Sequence, residues 1–409
     1  MRLAHGFFLF HDRKDKMMKL GLGLGLSTAQ RQSNYEAITA DWMSWDGSND
    51  GTISTMFSAG GVIAIDIVAV SDSEAILFWH DSTGNGKCVV LDVDADLTFK
   101  PETTNSAISV SIDEPDGANI IALSDTLFII LAEDNVTGAL ECSLISKSGK
   151  ILTEIDNAVI DVTFEATLRN GLAFLNNTQA VFIAKESADS DDARIGVIDV
   201  SGNDITVGSL VDLNEQISDF PSICGLTANS FMAVTQKKVF YCTVSGVSVT
   251  VEASMNISSS GTVYDDVMIA RIDEQTVLVS YETASAGSVD VNSFSWNGAS
   301  LSRGVAQADI FSGNDIFQGT GTVTALGQRQ VMFSGRQNNE AVWFSAAVVC
   351  HLDEMGNITV GDVVQTSADV RAPYAIIDAT PSRLYVYAAY RDSTNTPLNQ
   401  IGTRILKGF

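Results

Sequence analysis

The stretch "TLFIILAEDNVTGALECSLISKSGKILTEI" (Thr126–Ile155) decides the fold of this chain. Its first part, Leu127–Ala132, is apolar throughout and has no helical period, and its Phe and Ile favour strands. A polar link, Glu133–Gly138, leads to a second apolar run ending near Ile145. Gly149 then stands between polar residues, and a strand that alternates polar with apolar positions follows. The order is strand, loop, strand, tight turn, strand. Such a turn needs φ > 0, which glycine adopts without strain.

The pattern recurs along the chain. Turn glycines in like contexts stand at "SKSGKILTEI" (Gly149), "VSGNDITVG" (Gly202), "VSGVSVTVEA" (Gly246), "WNGASLSRG" (Gly298) and "EMGNITVGD" (Gly356), at spacings of 53, 44, 52 and 58 residues. A related unit, "DVDADLTFKPE", turns at Ala95, 54 residues before Gly149. Upstream of each hairpin lie two more strand-like runs. The first is of the kind "ANIIALS", "PSICGL", "DVMIARI" or "PYAIIDA". The second occurs seven times: "EAILFWHD", "TLFIILAED", "QAVFIAKES", "SFMAVTQ", "QTVLVSYET", "RQVMFSGRQ" and "RLYVYAAYRD". Four strands in roughly 40–50 residues is the sequence pattern of propeller blades.

The two ends fit together. The seventh unit runs "YAIIDA", "RLYVYAAY", "NQIGTRILKGF" and stops where its last turn is due. At the other end, "NDGTISTMFSAGG" (Asn49–Gly61) is a turn and one strand without a unit of its own. Ring closure by this N-terminal strand hides the sheet edges that an open array exposes. Residues 51–409 therefore resemble a seven-bladed β-propeller of four-stranded blades, an all-β fold, with residues 1–50 outside the ring. No recurring Trp-Asp dipeptide, double-glycine pattern or aspartate box accompanies the repeat.

Composition narrows the function. The 409 residues are 45% hydrophobic, ample for a large core, and carry a net charge of −26. Such a surface repels nucleic acid, whose binding rests on Lys and Arg neutralising phosphates, and it repels anionic membrane surfaces. No apolar run is long enough to span a bilayer. The five cysteines, Cys88, Cys142, Cys224, Cys242 and Cys350, are odd in number and widely spaced, and read as buried core residues. Four of them fall on third strands and Cys224 on a first strand. Only His80 and His351 are available outside the N-terminal leader. There is no GxSxG, HExxH, P-loop or GxGxxG motif in a catalytic context.

Candidate site residues come from aligning the second strands. Their ends give a ring of equivalent positions: His80, Glu133, Glu186, Gln236, Glu282, Arg336 and Arg391. Trp79 and Tyr390 precede two of them. Arginines fork onto carboxylates or sugar hydroxyls, and aromatics stack on sugars, so this rim reads as a candidate ligand face. Solvated strand ends and inter-blade packing account for the same residues. A second series, Asp116, Asp161, Asp219, Asp266 and Asp315, precedes first strands and offers cation ligands at a channel mouth. The loop "DGSNDGTI" (Asp46–Ile53) places Asp46, Ser48 and Asp50 like the start of a calcium loop, but Phe57 stands where the bidentate Glu belongs. A plain β-turn is the competing reading, so Ca²⁺ is the one cofactor raised.

Residues 1–50 have another character. Met17–Gln30, "MMKLGLGLGLSTAQ", alternates Leu20, Leu22, Leu24 and Leu26 with glycine, which suits an extended segment added to another chain's sheet edge. Ser33 and Glu36 form a capping box for a short helix over about residues 34–45, with Tyr35, Ile38, Trp42 and Trp45 on one face. The "MKLGLGLGLS" start resembles those of bacteriophage tail and other virion structural proteins. That resemblance implies a non-catalytic, tail- or capsid-associated module. It would attach to other virion proteins or to itself through the arm, and its propeller would bind a partner or a host-surface glycan. The alternative is a secreted bacterial propeller that binds or cleaves glycans, with Met17–Ala29 as a signal peptide.

Overall fold

The computed structural model describes residues 64–80, 84–92, 107–161, 164–165, 170–186, 192–217, 221–258, 265–283, 288–311, 322–327, 329–339, 342–365, 371–379, 383–391 and 397–405. At residues 64–65, 116, 164–165, 265–266, 283 and 336–345, and from residue 364 onward, it describes the backbone alone. The arm, the helix expected at 34–45, the Asp46 loop, the closing strand at 49–61 and the Ala95 turn lie outside the described residues.

Every described element is a strand. Sheet 1 holds β1 (Ala64–Ser71), β2 (Glu74–His80), β3 (Asn85–Asp92) and β4 (Ile108–Asp113). Sheet 2 holds β5 (Asp116–Ser124), β6 (Leu127–Asp134), β7 (Ala139–Ser148) and β8 (Ile151–Asp161). Sheet 3 holds β9 (Phe164–Glu165), β10 (Leu172–Asn176), β11 (Gln179–Glu186), β12 (Asp192–Ser201), β13 (Asp204–Val207) and β14 (Val211–Gln216). Sheet 4 holds β15 (Ser222–Thr227), β16 (Ser230–Val234), β17 (Lys238–Ser245) and β18 (Ser248–Asn256). Sheet 5 holds β19 (Asp265–Arg271), β20 (Thr276–Thr283), β21 (Ser288–Trp296) and β22 (Leu301–Arg303). Sheet 6 holds β23 (Thr322–Gly327), β24 (Gln330–Asn339), β25 (Val342–Leu352), β26 (Ile358–Val360) and β27 (Val364–Gln365). A last group pairs β28 (Arg371–Ala379), β29 (Arg383–Arg391) and β30 (Pro397–Ile405).

Six sheets thus follow one antiparallel four-strand path, with β9, β14 and β27 as short additions. The expected turn glycines Gly149, Gly202, Gly246, Gly298 and Gly356 have φ of 60°, 66°, 61°, 91° and 85°. Successive first strands lie side by side: β1 by β5, then β10, β15, β19, β23 and β28, and β28 also lies by β1. The arrangement is propeller-like.

The core sits between sheets, and it explains the apolar second strands. On β6, Phe128 and Ile130 pack toward sheet 1, while Ile129 and Leu131 pack toward sheet 3. On β11, Phe182 meets sheet 2, while Val181 and Ile183 meet sheet 4. On β16, Phe231 faces sheet 3, while Met232 and Val234 face sheet 5. A middle strand covered on both faces needs apolar residues at every position, so strict alternation disappears. The fourth strands are covered less: β18 is exposed at most of its positions.

Polar contacts stitch the same seams. Glu154 on β8 accepts from the backbone N–H (3.0 Å) and hydroxyl (2.9 Å) of Ser111 on β4. Lys147 meets Glu74 at 2.7 Å, and Lys150 bridges Glu74 and Asp92, tying sheet 2 to sheet 1. Lys238 of sheet 4 pairs with Glu215 of sheet 3. Arg329, beside β24, reaches Asp273 of sheet 5 at 2.7 Å.

Burial pushes the Asp273 carboxyl up, but the Gln275 N–H, the Thr276 hydroxyl and Arg329 together hold it below its ordinary value of 3.8. A depressed carboxyl contributes stability that is complete above its unfolded value and is lost as pH falls through the lower folded one. Replacing Arg329 with Met is therefore expected to move acid unfolding to higher pH. An acid titration followed by circular dichroism checks this, and an unmoved midpoint counts against the clasp.

Candidate functional site

A cavity of about 710 Å³ lies where the first strands of sheets 1 to 6 converge. Its wall is first-strand edge at residues such as Ile67, Ile120, Leu172, Ile223, Ile269 and Val323, and it exposes more polar than apolar surface. Its charged residues are Asp66, Arg271 and Glu274.

Polar residues in or just before the first strands of sheets 1 to 4 frame this cavity. Asp66 Oδ2 accepts the N–H of Ile120 at 2.8 Å, and its Oδ1 accepts the N–H of Ile67 at 2.9 Å. Asn119 is buried and accepts the N–H of Gly171 at 2.8 Å. The carbonyl of Asn170 accepts the N–H of Ile223 at 2.9 Å. Ser222 Oγ accepts the N–H of Ile269 at 3.3 Å. Each acceptor thus takes the N–H one step further along the next first strand. Asp66, Asn119, Asn170 and Ser222 recur at spacings of 53, 51 and 52 residues, a signal present in the sequence beside the turn glycines. Gly225 serves the same frame. A Cβ there would stand 2.0 Å from the Phe174 carbonyl oxygen, so only glycine lets β15 approach β10 this closely.

The residues expected to form a rim occupy other places. Trp79 and His80 end β2 and are buried, at 1% and 2% exposure, so Trp79 presents no face for a sugar. Glu133 is half-buried on β6, and Glu282 is half-buried on β20. Glu186 ends β11, where it accepts from Arg194 Nε at 2.6 Å. Gln236 is buried just after β16. Arg391 ends β29 with Tyr390 before it. Arg336 lies inside β24, because pairing with β25 continues through Asn338–Trp343 and Asn339–Val342 where a polar loop was expected. None of these residues lines the axial cavity.

The expected aspartate series is dispersed as well. Asp116 begins β5 and Asp266 lies in β19, while Asp161 ends the fourth strand β8. Asp219 and Asp315 fall outside the described residues. Among the described residues, no three of His, Cys, Asp or Glu converge to hold a metal ion.

The cysteines stand where expected: Cys88, Cys142, Cys242 and Cys350 on third strands, Cys224 on β15 in the cavity wall. All five are free and buried. Burial pushes the Cys224 thiol up to about 12 even though the nearby Arg271 charge pulls it down. Burial likewise pushes Cys142 up to about 12.

No family model and no curated protein matches the chain. Among solved structures, the chain is similar to S. cerevisiae core factor, with a TM-score of 0.51 and 10% identity over 83% of this chain and 57% of that one. It thus spans little more than half of that structure's chain. A putative 6-phosphogluconolactonase from Bacteroides uniformis gives a TM-score of 0.47 and 10% identity over 82% and 94%. The WD40 domain of SCAP from fission yeast gives 0.43 and 9% identity over 83% and 81%. At these identities the likeness to core factor concerns the fold alone.

The thiols give a direct check of this geometry. A thiol-reactive disulfide reagent at mildly alkaline pH is expected to leave all five cysteines unmodified in the native protein and to titrate five after urea unfolding. Rapid native modification of Cys224 would show that the cavity wall is open at that strand.

Proposed function

We propose that the sheets are seven blades of a closed propeller, and that the chain is a non-catalytic attachment module of a virion. In this reading the propeller contacts a partner or host surface, and the Leu–Gly segment joins the chain to other virion proteins or to a second copy. The observation that carries the ring is the position of β1, which has β5 on one side and β28 on the other. The strand at 49–61 then serves as the fourth strand beside β30. What supports attachment over chemistry is the frame of the axial cavity, whose polar residues Asp66 and Asn119 are committed to backbone-directed hydrogen bonds. The arm supports assembly through its period-two apolar row, which matches the spacing of one face of a strand.

Light scattering on the full chain tests the arm. The unaltered protein is expected to assemble, and a variant with Leu20, Leu22, Leu24 and Leu26 all changed to Asp is expected to be a monomer. Two monomers would remove self-assembly through the arm. Natural material beginning at Gln30 would favour the secreted reading, and release of sugar from a purified host polysaccharide would overturn the non-catalytic one.

A further inference from the structure

We propose that the axial cavity binds a small organic carboxylate, and that Arg271 is the residue that recognises it. The cavity's volume, about 710 Å³, lies in the range of small-molecule sites. Its wall exposes both apolar and polar surface, and such sites take their specificity from a few polar groups. Arg271 is the last residue of β19, is exposed, and lines this cavity.

Within the described residues the Arg271 side chain makes no hydrogen bond or ion pair, its backbone being paired with Val277 of β20. That sets it apart from the cations of the seams. Lys147 and Lys150 engage Glu74, Arg194 engages Glu186 and Asp212, Lys238 engages Glu215, and Arg329 engages Asp273. The chain has 50 acidic residues against 24 Lys and Arg, so partners are not scarce. Asp66, in the same wall, has both oxygens committed to backbone N–H groups. Glu274, three positions on, lines the cavity without pairing to Arg271. A guanidinium is a planar fork that matches a carboxylate through two parallel N–H···O bonds. In a wall with no other cation, it selects a monoanion. Glu274 opposes one.

This inference rests on the cavity and not on the virion reading, so either can fail alone. The test uses the full chain labelled at isoleucine δ-methyl groups, with benzoate as probe and benzamide as its neutral counterpart. Benzoate is expected to shift Ile67, Ile120, Ile223 and Ile269 saturably while leaving Ile151, exposed on β8, in place. Arg271→Gln is expected to weaken benzoate about ten- to a hundredfold, the effect of losing a hydrogen-bonded charge pair. Glu274→Gln is expected to tighten it. Unshifted core methyls, such as Ile129 and Ile145, show that each variant is folded. The proposal is overturned if benzamide binds as tightly as benzoate, if Arg271→Gln leaves the affinity unchanged, or if no cavity methyl moves at millimolar benzoate.

Discussion

A strand on the inner edge of a sheet has one row of N–H and C=O groups with no partner strand, and this molecule depends on how that row is met. Here it is met by the neighbouring sheet. Asp66, Asn119, the Asn170 carbonyl and Ser222 each accept an N–H from the next first strand. The acceptors differ in chemistry but not in place. A buried donor left without a partner costs about 1–3 kcal/mol, so each link protects its seam as well as aligning it. The same links hold the first strands close enough to enclose a cavity while keeping them from merging into one sheet.

Packing reinforces what the links align. Each middle strand is an interior layer shared by two interfaces, which is why Phe128, Phe182 and Phe231 sit beside aliphatic residues that face the other way. The fourth strands are the more exposed ones, as β18 shows. Ion pairs such as Lys150 with Glu74 and Arg329 with Asp273 clasp neighbouring sheets away from the cavity. Backbone-directed bonds join the first strands near the axis, and ion pairs cross the seams elsewhere.

Much of this was legible in the residues. The second strands announce themselves as unbroken apolar runs, and the turn glycines mark the outer hairpins with the backbone geometry their context demands. Cysteines spaced along third strands read as core and are core. The site was less legible. A rim built on strand ends treats His80 and Trp79 as surface, yet both are buried. The polar run after "RQVMFSG" reads as a strand end at Arg336, but the β24–β25 hairpin runs past it. The framing residues went unnoticed because Asp, Asn and Ser look interchangeable with ordinary turn residues, and at Asn170 the backbone supplies the oxygen. Arg271 reads as the tail of "DVMIARI", and only the convergence of six strands turns it toward a cavity.

The links between first strands join residues 54, 52 and 47 positions apart. Closing loops of nearly equal length costs nearly equal entropy, so each sheet can fasten to the one before it as the chain is made. The contact of β1 with β28 breaks this regularity, because Ser71 and Arg371 are 300 positions apart. It joins strands far more distant in sequence than those of any other seam between described first strands. Bringing β1 and β28 together therefore costs more closure entropy than any link between successive sheets.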